Sequence, residues 1–132
     1  MATCYLFVRE LGEDNILSLR LNAAGQVDKE LQSRSVNELH ALTSKARTII
    51  VLSSELCSFY EVELPKLSGR KARSAIPFAL EDRVAQNIDT LHFVFSQKLY
   101  HNHRYLVAVI DKALLSAWIK KFQQFSISFD VL

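Results

Sequence analysis

The chain has 132 residues, of which 49% are hydrophobic and 23% charged, with three glycines, two prolines, two cysteines and a formal net charge of +2. That length makes one ordinary domain able to bury about two-thirds of its unfolded surface, and the composition excludes disordered and low-complexity classes. The charge is too small for a domain that tracks nucleic-acid phosphates, and no apolar run approaches the ~20 residues that span a bilayer. Cys4 and Cys57 read as reduced thiols. With no secretory n-region or cleavage pattern after Met1, they point to a cytoplasmic setting.

In chain order, Cys4 to Val8 is an apolar, β-rich run, and the acidic turn Gly12-Glu13-Asp14-Asn15 leads into the alternating stretch Ile16 to Leu21, which together predict a β-hairpin. Asn22 to Gly25 is a second turn, and Gln26 to Gln32 supplies a third antiparallel strand. Ser35 followed by Glu38 has the spacing of a capping box, opening a helix with Val36, Leu39 and Leu42 on its apolar stripe. Thr48 to Leu52 then reads as a continuous apolar strand buried on both faces. Phe59 to Leu64 is a further strand, Thr90 to Leu99 and Tyr105 to Ile110 form a strand pair, and Asp111 caps a last helix. Leu114, Leu115, Trp118, Ile119 and Phe122 form that helix's buried face.

Between these elements lies the most informative segment, Leu64 to Asp82. Leu67, Ala72, Ala75, Ile76, Ala79, Leu80 and Val84 recur at helical spacing, with Arg70, Lys71, Arg73, Glu81, Asp82 and Arg83 off that face, so the segment is an amphipathic helix. Pro77 lacks an N–H and crowds the carbonyl of Arg73, a defect of about 3 kcal/mol in a straight helix, which predicts a kink or break near Ala75-Ile76. Cations at a helix N-terminus oppose the macrodipole. The cluster Lys66, Arg70, Lys71 and Arg73 is therefore not explained by helix stability, and it is the candidate partner-binding patch, suited to an acidic protein surface or an anionic membrane.

The basic start, the Pro77-Phe78 pair and the acidic residue after it, with Leu91-His92-Phe93 downstream, resemble the cytoplasmic region of the type II secretion system protein L family. The resemblance implies an α/β, actin-like (ribonuclease-H-like) fold: a mixed sheet with helices, here as a single domain over 1–132, with 59–110 as an inserted subdomain. It implies a non-enzymatic adaptor of the inner-membrane platform, at the cytoplasmic face of the bacterial inner membrane, that recruits the secretion ATPase through that enzyme's N-terminal domain. It also implies other platform proteins as partners, a homodimer, and a membrane anchor in the full-length protein. The apolar alternating run Ser126 to Leu132 looks like an uncapped strand, so the chain is expected to be truncated, about half of the family's cytoplasmic region. Type IV pilus assembly protein M is the related scaffold.

Other chemistries find weak support in the residues. An actin-like ATPase needs a phosphate loop between its first two strands, but here Gly12 stands alone among Glu10, Glu13 and Asp14, with no lysine or threonine. Two-metal nucleases on the related fold need a carboxylate within the first strand, and Cys4 to Val8 has none. His101 and His103 lack a third and fourth metal ligand within reach, and His40 and His92 have no nucleophilic partner. Cys57 reads as a small core residue. No cofactor and no nucleic acid are expected.

Overall fold

A computed structural model describes residues 1–12 and 14–130. They divide into two compact units: Met1–Ser53 with the described residues from Ala117 on, and Ser54–Ser116.

In the first unit, strands β1 (Ala2–Val8), β2 (Ile16–Leu21), β3 (Val27–Arg34) and β4 (Ala46–Leu52) form a sheet of order β3-β2-β1-β4. The β1–β2 and β2–β3 pairs are antiparallel, and β4 joins β1 in parallel. Alternation decides the buried face: Cys4, Leu6 and Val8 of β1, Ile16 and Ser18 of β2, and Thr48 and Ile50 of β4 are buried. A parallel partner for β1 requires a crossover, and helix α1 (Val36–Thr43) supplies it. The expected capping box is present, with Ser35 Oγ accepting from the Glu38 N–H and Glu38 accepting from the Ser35 N–H. Leu39 and Leu42 are buried, and the Cys4 thiol donates to the Leu42 carbonyl at 3.0 Å. Burial raises the Cys4 pKa above its ordinary value, against the opposing pull of Arg20 and Arg34.

Arg34 is itself buried, and its guanidinium donates to the carbonyls of Ser18 (2.7 Å) and Glu30 (2.8 Å) and to Ser18 Oγ. Those bonds tie β3 to β2 beside a break in their register between Ser18 and Leu21. β4 differs from its sequence expectation. Only Thr48 and Ile50 are buried, because its second face, Ile49 and Val51, is covered incompletely. No strand is formed over Ser126–Asp130, although Asp130 exchanges two bonds with Thr48: its N–H to the Thr48 carbonyl at 2.8 Å, and its carboxylate from the Thr48 N–H at 2.9 Å. Val131 and Leu132 lie outside the described residues.

The second unit is a three-stranded antiparallel sheet, order β5-β7-β6, of β5 (Ser58–Glu63), β6 (Leu91–Phe95) and β7 (Arg104–Asp111). Helix α2 (Gly69–Leu80) covers one face. Ala72, Ile76 and Leu80 pack with Val62, Leu91, Tyr105, Val107 and Val109. β6 is shorter than expected, because Gln97–Leu99 turns into a 3-10 helix capped by Ser96. Helix α3 (Lys112–Gln124) starts where Asp111 Oδ1 accepts the Ala113 N–H, as expected. Of its expected buried face only Trp118 and Phe122 are fully buried; Leu114, Leu115 and Ile119 are half-buried.

α2 corrects the helix expectation in two ways. Of the kink or break expected near Ala75-Ile76, the break is not formed: α2 runs unbroken through Pro77, because Ile76 and Leu80 on either side of the proline are each 0% exposed and anchored in the core, which offsets the lost hydrogen bond. Its solvent face also includes Ala79, which the apolar pattern had placed inward, together with Phe78. Cys57 is only half-buried, so it is a rim residue of its unit rather than core, and burial raises its pKa.

Candidate functional site

The start of α2 is held by side chains from across its unit. Tyr105 Oη accepts the Leu67 N–H at 2.9 Å, Tyr100 Oη donates to the Leu64 carbonyl at 2.7 Å, and Gln97 Nε2 donates to the Leu67 carbonyl at 2.9 Å. Burial raises the Tyr100 pKa, which keeps its hydroxyl a donor. These bonds fix residues 64–67, the approach to the helix, so the cations that follow stand on a rigid base.

Lys66, Arg70, Lys71 and Arg73 are all exposed. Among the described residues, none of these four side chains makes a hydrogen bond or ion pair. No acidic residue occurs between Leu64 and Leu80. Two turns beyond Arg70 on the same face stands Phe78, 70% exposed, and a shallow hollow of ≈520 Å³ runs from Ser68, Arg70 and Lys71 past Ser74 to that ring. An exposed aromatic ring next to unpaired cations on a rigid helix is the composition of a protein-binding hot spot.

The helix caps sharpen the point. In both α1 and α2 the N-cap serine oxygen accepts the N3 backbone N–H at 3.4 Å, from Ser35 to Glu38 and from Ser68 to Lys71. α1 completes the box with a glutamate; α2 carries a lysine there, where it opposes the helix dipole.

The remaining candidates separate in space. Gly12 is exposed in the β1–β2 turn, and Glu13 lies outside the described residues. Lys121 of α3 donates to the Leu11 carbonyl and stands over the rings of Trp118 and Phe125, a tether that turn chemistry alone could not reveal because it spans 110 residues. Beside this turn a hollow of ≈400 Å³ is lined mainly by apolar groups, Phe7, Val8, Leu17, Val51 and Leu52, with Arg9 and Ser53. His101 and His103 sit in the exposed turn before β7, with Asn102 (φ 51°) and His103 (φ 62°) left-handed. His92 is exposed on β6 and His40 on α1. No group of three or more His, Cys, Asp or Glu that could hold a metal occurs among the described residues, and no helix there is long and apolar enough to cross a membrane.

Residues 2–132 match the family model of type II secretion system protein L. The chain belongs to that family. Protein L of Dickeya chrysanthemi is 38% identical over 73 residues, 55% of this chain and 18% of its own length. Protein L of Pectobacterium carotovorum subsp. carotovorum is 30% identical over 94 residues, 71% of this chain and 22% of its own. The chain thus spans about a fifth of the length of these protein L relatives. In structure it is similar to the cytoplasmic domain of EpsL, an inner membrane component of the type II secretion system of Vibrio cholerae, with a TM-score of 0.79 and 19% identity over 100% of this chain and 56% of that one. It also resembles a chain of the PilM-PilN type IV pilus biogenesis complex, with a TM-score of 0.64 and 14% identity over 98% of this chain and 47% of that one. The chain therefore shares the mixed α/β, actin-like fold of these two structures over about half of each.

Proposed function

We propose that this protein L chain is a docking scaffold without chemistry of its own, and that the exposed face of α2 receives the N-terminal domain of the secretion ATPase. The observation that carries it is the set of unpaired cations Lys66, Arg70, Lys71 and Arg73, of which Arg70, Lys71 and Arg73 line hollows with exposed Phe78, held on a helix start that is less stable for carrying them. Such charges raise the association rate and select an acidic partner, while the aromatic ring supplies desolvated contact. Docking would take place at the cytoplasmic face of the bacterial inner membrane, with the anchor outside this chain and other platform proteins nearby. A homodimer is a further assembly of this scaffold. Family membership supports the scaffold role, and so does the PilM neighbour, which was solved as a complex.

The test is isothermal titration of the chain with the ATPase N-terminal domain, comparing wild type with the Arg70→Glu, Lys71→Glu, Arg73→Glu triple variant and running Mg-ATP as a control. Saturable protein binding, weakened about tenfold or more in the variant, supports the reading. Nucleotide binding without protein binding would replace it with the actin-like ATPase reading.

A further inference from the structure

Strand geometry fixes the place of the hollow beside β6. Successive strand side chains point to opposite faces, so a hollow above one face touches every second residue. The hollow here, ≈360 Å³, is lined by four consecutive residues, His92, Phe93, Val94 and Phe95, with Gly69 and Arg73 of α2 across from them. It therefore runs along the edge of the strand. β7 takes the other edge of β6, so the backbone facing the hollow is the unpaired one. An adjoining hollow of ≈340 Å³ shares Arg73, His92 and Phe93 and continues the trough toward Phe78 and Lys112.

An unpaired edge is a template for another strand, and folded proteins usually blunt it with charges, prolines or irregular register. The other edges in this chain carry such features. β3 has Asp28, Lys29 and Glu30 and a broken register, β4 has Arg47 and the two backbone bonds to Asp130, and β5 has Glu61 and Glu63 with Pro65 just beyond. β6, Leu-His-Phe-Val-Phe, has no proline, lysine or carboxylate, and its register with β7 is unbroken.

We infer that β6 accepts an extended segment of a partner protein as an added strand, giving the order β5-β7-β6-partner, with an acidic side chain of that segment reaching Arg73 and Lys112. Charge selects the occupant. Arg73 and Lys112 line the trough against Asp89 alone, whose backbone carbonyl holds Lys112 Nζ at 2.9 Å. Backbone bonds along β6 supply affinity in this recognition mode, and the cations supply selection. Edge addition rests on the docking-scaffold reading only in taking a protein as the occupant; the trough shares Arg73 and Phe78 with the exposed face of α2, whereas Arg70 and Lys71 line only the hollow on that face.

The probe is a capped peptide, Thr-Val-Glu-Val-Thr-Val-Glu, titrated into the ¹⁵N-labelled chain and followed by chemical shift. Three relatives are titrated beside it: two N-methylated at alternate residues in the two possible registers, and one with lysine for each glutamate. Addition at β6 predicts shifts at Leu91–Phe95 and Arg73, loss of about tenfold or more in affinity for one methylation register, and similar loss for the lysine peptide. Arg73→Glu, an exposed and unpaired position, should reverse the charge preference. Shifts that avoid β6, equal binding by both methylated forms, or no saturable binding would overturn the inference. If the peptide fails while the ATPase domain still binds in a manner sensitive to Arg70 and Lys71, edge addition falls and the scaffold reading stands. If the peptide adds at β6 while the ATPase domain does not bind, edge addition stands and the identity of the partner falls.

Discussion

Lys71→Glu should make the protein more stable while making it a poorer docking partner. Lys71 is the N3 residue of α2, and its N–H bonds the N-cap Ser68 oxygen at 3.4 Å, the same distance as the Ser35–Glu38 bond that opens α1. A glutamate at 71 can reach back to the Ser68 N–H, as Glu38 reaches Ser35 Nα at 3.2 Å, completing a second capping box. Removing a cation from the positive end of the helix dipole and placing an anion there adds about 0.3–1 kcal/mol for each change. The reciprocal bond adds a few tenths more, so at the low end that an exposed side chain warrants a total near 1 kcal/mol is expected. For a chain of this size that raises Tm by about 3 °C, readable by calorimetry or thermal circular dichroism. Lys71→Gln, which can make the reciprocal bond but removes only the cation, should give a smaller gain than Lys71→Glu. A fall in Tm for Lys71→Glu, or equal gains for the two variants, would refute the argument that α2 forgoes stability at its start.

Ile76, 0% exposed between α2 and the β5-β7-β6 sheet, should lose about 2–5 kcal/mol when changed to alanine, measured by urea unfolding; a loss below 1 kcal/mol would mean that this core is not packed as described. Tyr105→Phe removes the acceptor of the Leu67 N–H and should lower stability by about 1–2 kcal/mol while speeding amide exchange at Leu67; unchanged exchange would show that the hydroxyl does not hold the helix approach. The Ser35 N–H and hydroxyl hold the Glu38 carboxyl below its ordinary value of 4.5. Because the folded-state value is the lower one, that stabilisation is complete above the unfolded value and is lost as pH falls through the folded one. Wild type and Glu38→Gln should therefore differ in stability above pH 4.5 and converge in more acid solution; a constant gap across that range would contradict the capping assignment.

Much of the local structure was legible because its causes are local. Ser35 and Glu38 sit three residues apart, and the cap they form is in the structure. Asp111 does the same for α3, and the hairpin and third strand follow from turn residues and alternation. What failed were inferences about coverage. Ile49-Ile50-Val51-Leu52 looks doubly buried because composition does not say which faces other elements cover, and β4 proved only half covered. Ala79 fits an apolar stripe by spacing, but tertiary packing centres the buried stripe on Ala72, Ile76 and Leu80 and leaves both Ala79 and Phe78 in solvent. Of the kink or break expected at Pro77, the break is prevented by the two anchored residues beside the proline. The cationic start of α2 was visible as a violation of helix electrostatics. The aromatic ring beside it and the bare edge of β6 were not, since exposure and strand order come from contacts between residues far apart in sequence.

The central claim, that the exposed face of α2 receives the ATPase N-terminal domain, is tested most directly by NMR cross-saturation from that domain onto the labelled chain in the complex. Signal loss is expected at Lys66, Arg70, Lys71, Arg73 and Phe78. Saturation confined to the first unit, for example at exposed Leu17, Val27 and Leu31, with α2 untouched, would contradict it.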